Sequence, residues 1–156
     1  MTAAWTGTVC TNPPMLYISV RKNRYSYEAL HQTKVFGINL TTEKLAGVTD
    51  YCGVVSGAKH DKFKECHLTK EEADQIEVSL VAESPVNIEC RIVEEKELGS
   101  HVMMLADVLS VHVDSSYMDK NGRFALEKSH PIVYSHGTYF SLGKELGTFG
   151  YSVKKK

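Results

Sequence analysis

The sequence lacks any uninterrupted apolar run approaching the roughly 18 residues that a membrane-spanning helix needs. Its start, Met1-Thr2-Ala3-Ala4-Trp5, also has neither the basic head nor the apolar stretch of a secretory signal, which predicts a cytoplasmic protein. Four prolines and eleven glycines in 156 residues are too few for a disordered or collagen-like chain. Four cysteines are too sparse for a disulfide scaffold, and Cys10, Cys52, Cys66 and Cys90 show no C-x-x-C spacing of a zinc or redox motif, so reduced thiols are expected. Neither sign of charge dominates: 18 Lys+Arg against 19 Asp+Glu give a net charge of -1. That balance lacks the electrostatic footprint of a nucleic-acid binder. Nucleotide-triphosphate hydrolysis has no P-loop, ester and peptide hydrolysis no G-x-S-x-G elbow, and metalloprotease chemistry no H-E-x-x-H.

What is present is enough apolar material for one core. Forty-two per cent of the residues are hydrophobic, and a chain of this length buries about 70% of its unfolded surface on folding. Strand-length apolar runs recur at 5–10, 15–20, 36–40, 86–93, 102–113 and 132–140. In the fourth run Val86, Ile88, Cys90 and Ile92 alternate with Asn87, Glu89 and Arg91, predicting one buried and one wet face. Val102-Met103-Met104-Leu105-Ala106 is apolar on both sides, as a strand covered by the core and by a partner would be.

Short helices are expected at about 26–32, 42–52 and 61–66, the second ended by a left-handed Gly53. Thr69-Lys70-Glu71-Glu72 fits a capping box and predicts a further helical start. Asp119-Lys120-Asn121-Gly122 is a turn signal. The order of strands and helices lacks the βαβα alternation of a doubly wound sheet, so the fold class expected is mainly β with short helices, an antiparallel barrel. Residues 1–150 form one domain, and residues 151–156, ending in Lys154-Lys155-Lys156, a basic solvated tail.

Two segments carry ligand chemistry. Ser19-Val20-Arg21-Lys22-Asn23-Arg24-Tyr25-Ser26-Tyr27 joins an apolar strand to a helix start, where Arg21 and Arg24 supply guanidinium forks, the first amides supply donors and Ser26 can cap the helix. This can be a monophosphate cradle; a capped helix flanked by solvated basic residues reads the same way. Ser56, Gly57 and Lys62 lie at a second helix start, where Asp61 as N-cap and Phe63 as core anchor explain most of the pattern. His101, in Gly99-Ser100-His101, stands at the entry to the doubly apolar strand, either along the barrel rim or as an ordinary turn histidine. No histidine spacing suggests a metal site.

In chain order, Thr2-Ala3-Ala4-Trp5-Thr6-Gly7, Asn12-Pro13-Pro14, Ser19-Val20-Arg21, Arg24-Tyr25-Ser26-Tyr27, Phe36-Gly37-Ile38-Asn39-Leu40, Asp50-Tyr51-Cys52-Gly53, Ser56-Gly57, Asp61-Lys62-Phe63, Glu83-Ser84-Pro85 and Leu98-Gly99-Ser100-His101 resemble the flavin reductase-like, FMN-binding split-barrel family, in its flavoredoxin-type branch. The resemblance implies a six-stranded antiparallel split barrel that forms a homodimer, with FMN in a groove between subunits. It further implies that Thr2, Ala3, Ala4, Trp5 and Thr6 meet the isoalloxazine ring, that Arg21, Arg24 and Ser26 hold the phosphate, and that Ser56, Gly57 and Lys62 close over it. The implied activity is NAD(P)H:flavin oxidoreduction, a hydride passing from NADH or NADPH to flavin N5 and electrons onward to an acceptor. His101 is the candidate catalytic residue, shaping the open flavin face. The alternatives are a flavoredoxin-like electron carrier without nicotinamide activity and a cofactor-free dimeric scaffold. Family members usually carry a lead-in segment and a first barrel strand ahead of the Thr-Ala-Ala-Trp motif. A sequence beginning at that motif predicts either an upstream start or a shortened barrel with an open edge.

Overall fold

The computed structural model describes residues 1–153; Lys154, Lys155 and Lys156, the basic end of the expected tail, lie outside the described residues. The architecture is mainly β with a few short helices. Strands β1 (Thr6–Thr11), β2 (Pro14–Val20), β3 (Val35–Asn39), β6 (Val86–Leu98) and β7 (His101–Val113) form one antiparallel sheet in the order β1-β2-β7-β6-β3. Helix α1 (Tyr25–Thr33) links β2 to β3, and helices α2 (Ala46–Val54) and α3 (Lys62–Glu65) follow β3. Two hairpins complete the chain: β4 (Lys70–Glu72) with β5 (Ser79–Val81), and β8 (Ile132–Ser135) with β9 (Thr138–Ser141).

The antiparallel barrel expected from the sequence is not closed among the described residues. β1 and β3 stand at opposite ends of the strand order and do not pair. The core lies on one face of the sheet, where period-two alternation puts Leu16, Ile18 and Val20 of β2 against Val102, Met104 and Ala106 of β7, with Cys90, Ile92, Phe36 and Leu30 completing the cluster. Met103 and Leu105, on the other face of β7, remain half-buried.

Three local expectations fail for physical reasons. Thr69-Lys70-Glu71-Glu72 opens no helix; residues 70–72 pair with 79–81 as a hairpin, and Thr69 donates its amide to the Glu83 carboxylate at 2.8 Å. Gly53 does not end α2, which runs on to Val54 before an extended Val55. The wet face expected for β6 is largely covered: Asn87 and Glu89 are buried. The loop after β4 lays the Asp74 and Gln75 amides on the Glu89 carboxylate at 2.8 and 2.7 Å, and His112 of β7 approaches it at 2.5 Å. A buried charge is tolerated when so partnered. Burial alone would raise the Glu89 carboxyl, but the Asp74 amide, the His112 imidazole and the Gln75 amide hold it below the usual carboxylate range.

Candidate functional site

A cavity of about 1020 Å³ opens beside the core, at the upper end of the range for small-molecule and cofactor sites. Both edge strands border it, through Thr6 of β1 and Phe36 to Asn39 of β3, together with α1, α2, α3 and the β8–β9 hairpin.

The N-terminal segment enters the cavity because α2 pins it. Thr2 Oγ1 donates to the Thr49 carbonyl at 2.5 Å, and the segment passes beside Gly53, where a Cβ would make an ordinary contact with Thr2 Cβ at 3.4 Å. Trp5 is tied to β2, its carbonyl accepting from the Ser19 amide at 2.9 Å. Between these anchors, Ala3 and Ala4 line the cavity and their backbones make no hydrogen bond among the described residues. Unpaired backbone donors beside a cavity are groups that a polar ligand can satisfy.

The start of α1 supplies the second wall. Arg24 occupies the N-cap position with an extended backbone and no side chain caps the helix. The expected capping role of Ser26 is therefore not met, because Ser26 already lies inside the first turn. The uncapped end leaves its first amides without a side-chain acceptor and with the positive end of the helix dipole. Arg24 and Ser26 both line the cavity beside it. Arg21 does not: it is exposed in the preceding turn, its carbonyl accepting from the Arg24 amide at 3.0 Å.

The third wall comes from α2, α3 and the loop joining them. Asp61 caps α3 by accepting the Lys64 amide at 3.2 Å. That cap aims Lys62 back at α2, where its Nζ donates to the Cys52 carbonyl at 2.7 Å. A cation on a carbonyl of the last turn complements the α2 dipole. Gly57 also lines the cavity and lets Tyr25 close in, since a Cβ would meet Tyr25 Cδ1 at 3.3 Å. Ser56 is absent from the lining; its Oγ accepts the Ala58 amide at 3.3 Å.

Trp5 and His101 lie outside the lining but together, their rings stacked with centroids 4.3 Å apart and planes inclined by 26°. Ser100 Oγ sits 2.8 Å from His101 Nδ1.

Sequence reasoning passed over two groups at this cavity. Tyr51 donates its hydroxyl to Glu65, and His60, which lines the cavity, holds the same carboxylate with Nδ1 3.0 Å from Oε2. The bond to Glu65 pushes the Tyr51 phenol up to about 12, and the Tyr51 hydroxyl and then the His60 imidazole hold Glu65 below the usual carboxylate range. The five-residue spacing of His60 and Glu65 around the Asp61 cap was the available signal. The β8–β9 hairpin also reaches the cavity, where the Tyr139 hydroxyl donates to Asp50 Oδ1 at 3.2 Å; no local sequence signal marks that contact.

Comparison with known proteins agrees with this fold. The flavoredoxin of Desulfovibrio vulgaris (Miyazaki F) superposes with a TM-score of 0.90 at 27% identity, covering 97% of this chain and 82% of that one. A flavoredoxin from Methanosarcina acetivorans superposes at 0.87 with 26% identity and the same coverages. An uncharacterized protein of Archaeoglobus fulgidus is 29% identical over 119 residues, 76% of this chain and 67% of that protein. The chain spans between 51% and 67% of the lengths of three curated relatives it matches. The model of the flavin reductase like domain matches residues 1–143, so the chain belongs to the flavin reductase like domain family.

Proposed function

We propose that the chain is a redox flavoprotein that binds FMN in this cavity and works as an NAD(P)H:flavin oxidoreductase. The observation that carries the reading is the convergence on one cavity of the Thr2, Ala3, Ala4 and Thr6 segment, of Arg24 and Ser26 at an uncapped helix start, and of Gly57 and Lys62. These residues fit FMN by their chemistry. Unpaired backbone donors suit the polar edge of a ring, and a guanidinium, a hydroxyl and uncapped amides suit a dianionic phosphate. When bound, FMN supplies the hydride and electron chemistry at its isoalloxazine ring.

The chain's own residues bind, orient and exclude water. Ala3 and Ala4 would donate to the ring edge, Arg24 and Ser26 would hold the phosphate, and Lys62, fixed by the Cys52 carbonyl, keeps positive potential at the cavity wall. The stacked Trp5–His101 pair, beside the N-terminal segment, would shape the approach of NADH or NADPH. A homodimer is supported by Met103 and Leu105 on the face of β7 turned from the core, and by the exposed Val93 and Val111 of β6 and β7.

A second reading, electron carriage without nicotinamide activity, is favoured by the likeness to two flavoredoxins. Anaerobic mixing of the FMN-loaded chain with NADH or NADPH separates the two. Rapid loss of the oxidised flavin's visible absorbance supports the oxidoreductase, an unchanged spectrum supports the carrier, and a protein that retains no flavin contradicts both.

A further inference from the structure

We infer that Asp74, Glu89 and His112 form a site for a divalent transition-metal ion, Zn²⁺ by the chemistry of the ligands, which fastens the β4–β5 loop to the main sheet. Each residue offers one ligand atom, and these atoms all lie within 4.8 Å of one another. His112 Nε2 stands 2.5 Å from Glu89 Oε1 and 3.9 Å from Asp74 Oδ2. Two ligands of a tetrahedral ion, each about 2.0–2.1 Å from it, are roughly 3.3 Å apart, which falls between those two separations. An ion in place of the proton that His112 and Glu89 share needs them to part by less than about 1 Å and Asp74, exposed on its loop, to close in. One imidazole with two carboxylates is a donor set that suits Zn²⁺, whereas Ca²⁺ and Mg²⁺ take oxygen ligands.

The fold orients these ligands before any ion arrives. Glu89 is fully buried on β6, and its two oxygens accept the Asp74 and Gln75 amides at 2.8 and 2.7 Å, which fixes the carboxylate. Asp74 therefore contributes twice, its amide holding one ligand while its side chain supplies another. His112 on β7 is partly exposed, so the site opens to solvent on that side. Fifteen residues separate Asp74 from Glu89 and twenty-three separate Glu89 from His112, so no motif spacing marks the site in the sequence.

An independent observation on the same face points to a ligand. Asn87 stands directly opposite His112 in the β6–β7 ladder and two residues before Glu89, so the three side chains project from one face of the sheet. Asn87 is 3% exposed, and its Nδ2 donates to the Val81 carbonyl at 3.2 Å. A carbonyl can only accept, so that bond fixes which end of the amide is which. The other end, Oδ1, is buried and has no hydrogen-bond partner among the described residues. Such an orphaned acceptor is costly until a donor reaches it. Side chains directly opposite in a ladder have Cβ atoms about 4.5–5.5 Å apart, which puts Asn87 beside His112. A water in the ion's fourth position donates to Asn87 Oδ1, and Asp74, Glu89 and His112 are the three protein ligands. The ion ties the loop at residues 74 and 75 to β6 and β7.

The test treats the full chain with a chelator, removes the chelator, and titrates with Zn²⁺ by calorimetry and with Co²⁺ by visible and near-ultraviolet absorption. The expected result is saturable uptake of one Zn²⁺ per chain, with Tm rising as free Zn²⁺ increases. The Co²⁺ spectrum should lack the thiolate charge-transfer band that binding through any of the four free cysteines would give. Asp74→Asn removes a ligand charge from an exposed side chain whose amide still supports Glu89. It should weaken Zn²⁺ at least about tenfold and leave the Tm of the metal-free chain nearly unchanged. His112→Gln should weaken Zn²⁺ by at least as much. Uptake that does not saturate, a thiolate band with Co²⁺, or an affinity unchanged in Asp74→Asn would overturn the proposal. Asp74→Asn keeps the test standing if His112→Gln folds poorly. The site requires no flavin, so its failure and a failure of flavin binding are separate results.

Discussion

Replacing Arg24 and Arg21 one at a time by alanine probes the phosphate end of the cavity, because the two arginines share a turn yet only Arg24 lines the cavity. A charge-assisted hydrogen bond contributes about 1.5–3 kcal/mol. Arg24 is exposed, so solvent screening sets the expected loss near the lower end. At about 1.4 kcal/mol per decade, that is roughly a tenfold weaker dissociation constant for FMN. The uncapped amides of α1 and the Ser26 hydroxyl remain in the variant, so part of the preference for a phosphate should survive. Riboflavin, which lacks the phosphate, should lose less than about twofold, and Arg21→Ala should cost FMN less than about threefold. Titration of flavin fluorescence with wild type and both variants, at low salt and at about 1 M salt where the Debye length falls to about 3 Å, reads these differences. Equal losses for FMN and riboflavin in Arg24→Ala, or an Arg21→Ala effect as large as that of Arg24→Ala, would refute the assignment of Arg24 to the phosphate.

Glu89→Ala removes the shared acceptor of the Asp74 and Gln75 amides and of His112. Urea unfolding followed by circular dichroism should show a loss of about 3 kcal/mol, with Tm lower by about 6–12 °C. Because the folded Glu89 carboxyl lies below its unfolded value, its contribution is complete above about pH 4.5 and disappears as pH falls through the folded value. The gap between wild type and variant should therefore narrow in acid; a gap constant down to pH 3 would contradict this. Gly37→Ala would place a Cβ 2.6 Å from Cδ2 of the fully buried Leu80. It should cost about 1–3 kcal/mol in the same assay, with the loss reduced when Leu80 is also trimmed to alanine. His101→Ala removes the stacking partner of Trp5. It should shift Trp5 fluorescence and leave FMN affinity within about threefold, while slowing reduction by NADH or NADPH by up to about a hundredfold. An unchanged reduction rate would make His101 a turn residue only.

The main sheet was legible in the sequence because its strands are apolar runs of strand length; that Leu16, Ile18 and Val20, with Val102, Met104 and Ala106, are the residues turned into the core was not, because both runs are apolar on either side. The β4–β5 hairpin was not, since Lys70-Glu71-Glu72 is all exposed and charged and carries no period. The loop of the same hairpin helps to bury Glu89, which strand alternation alone places on the wet face. Nothing near position 89 announces that the Asp74 and Gln75 amides will cover it from fifteen and fourteen residues upstream. At the cavity, Arg24, Ser26, Gly57 and Lys62 were legible because helix starts have local signatures. The difference between Arg24 and Arg21 was not, because which of two neighbouring side chains turns inward depends on where the helix begins. The Tyr51–Glu65 contact bridges two helices across a loop, and only the fold brings the two residues together.

Equilibrium titration of FMN with the purified full chain, followed by quenching of flavin fluorescence, tests the central claim most directly. Saturable binding of one FMN per chain is the expected result, tighter than riboflavin by a factor that Arg24→Ala reduces in part. Quenching that rises without saturation, or that is identical for FMN and riboflavin, would contradict a flavin site built on this cavity.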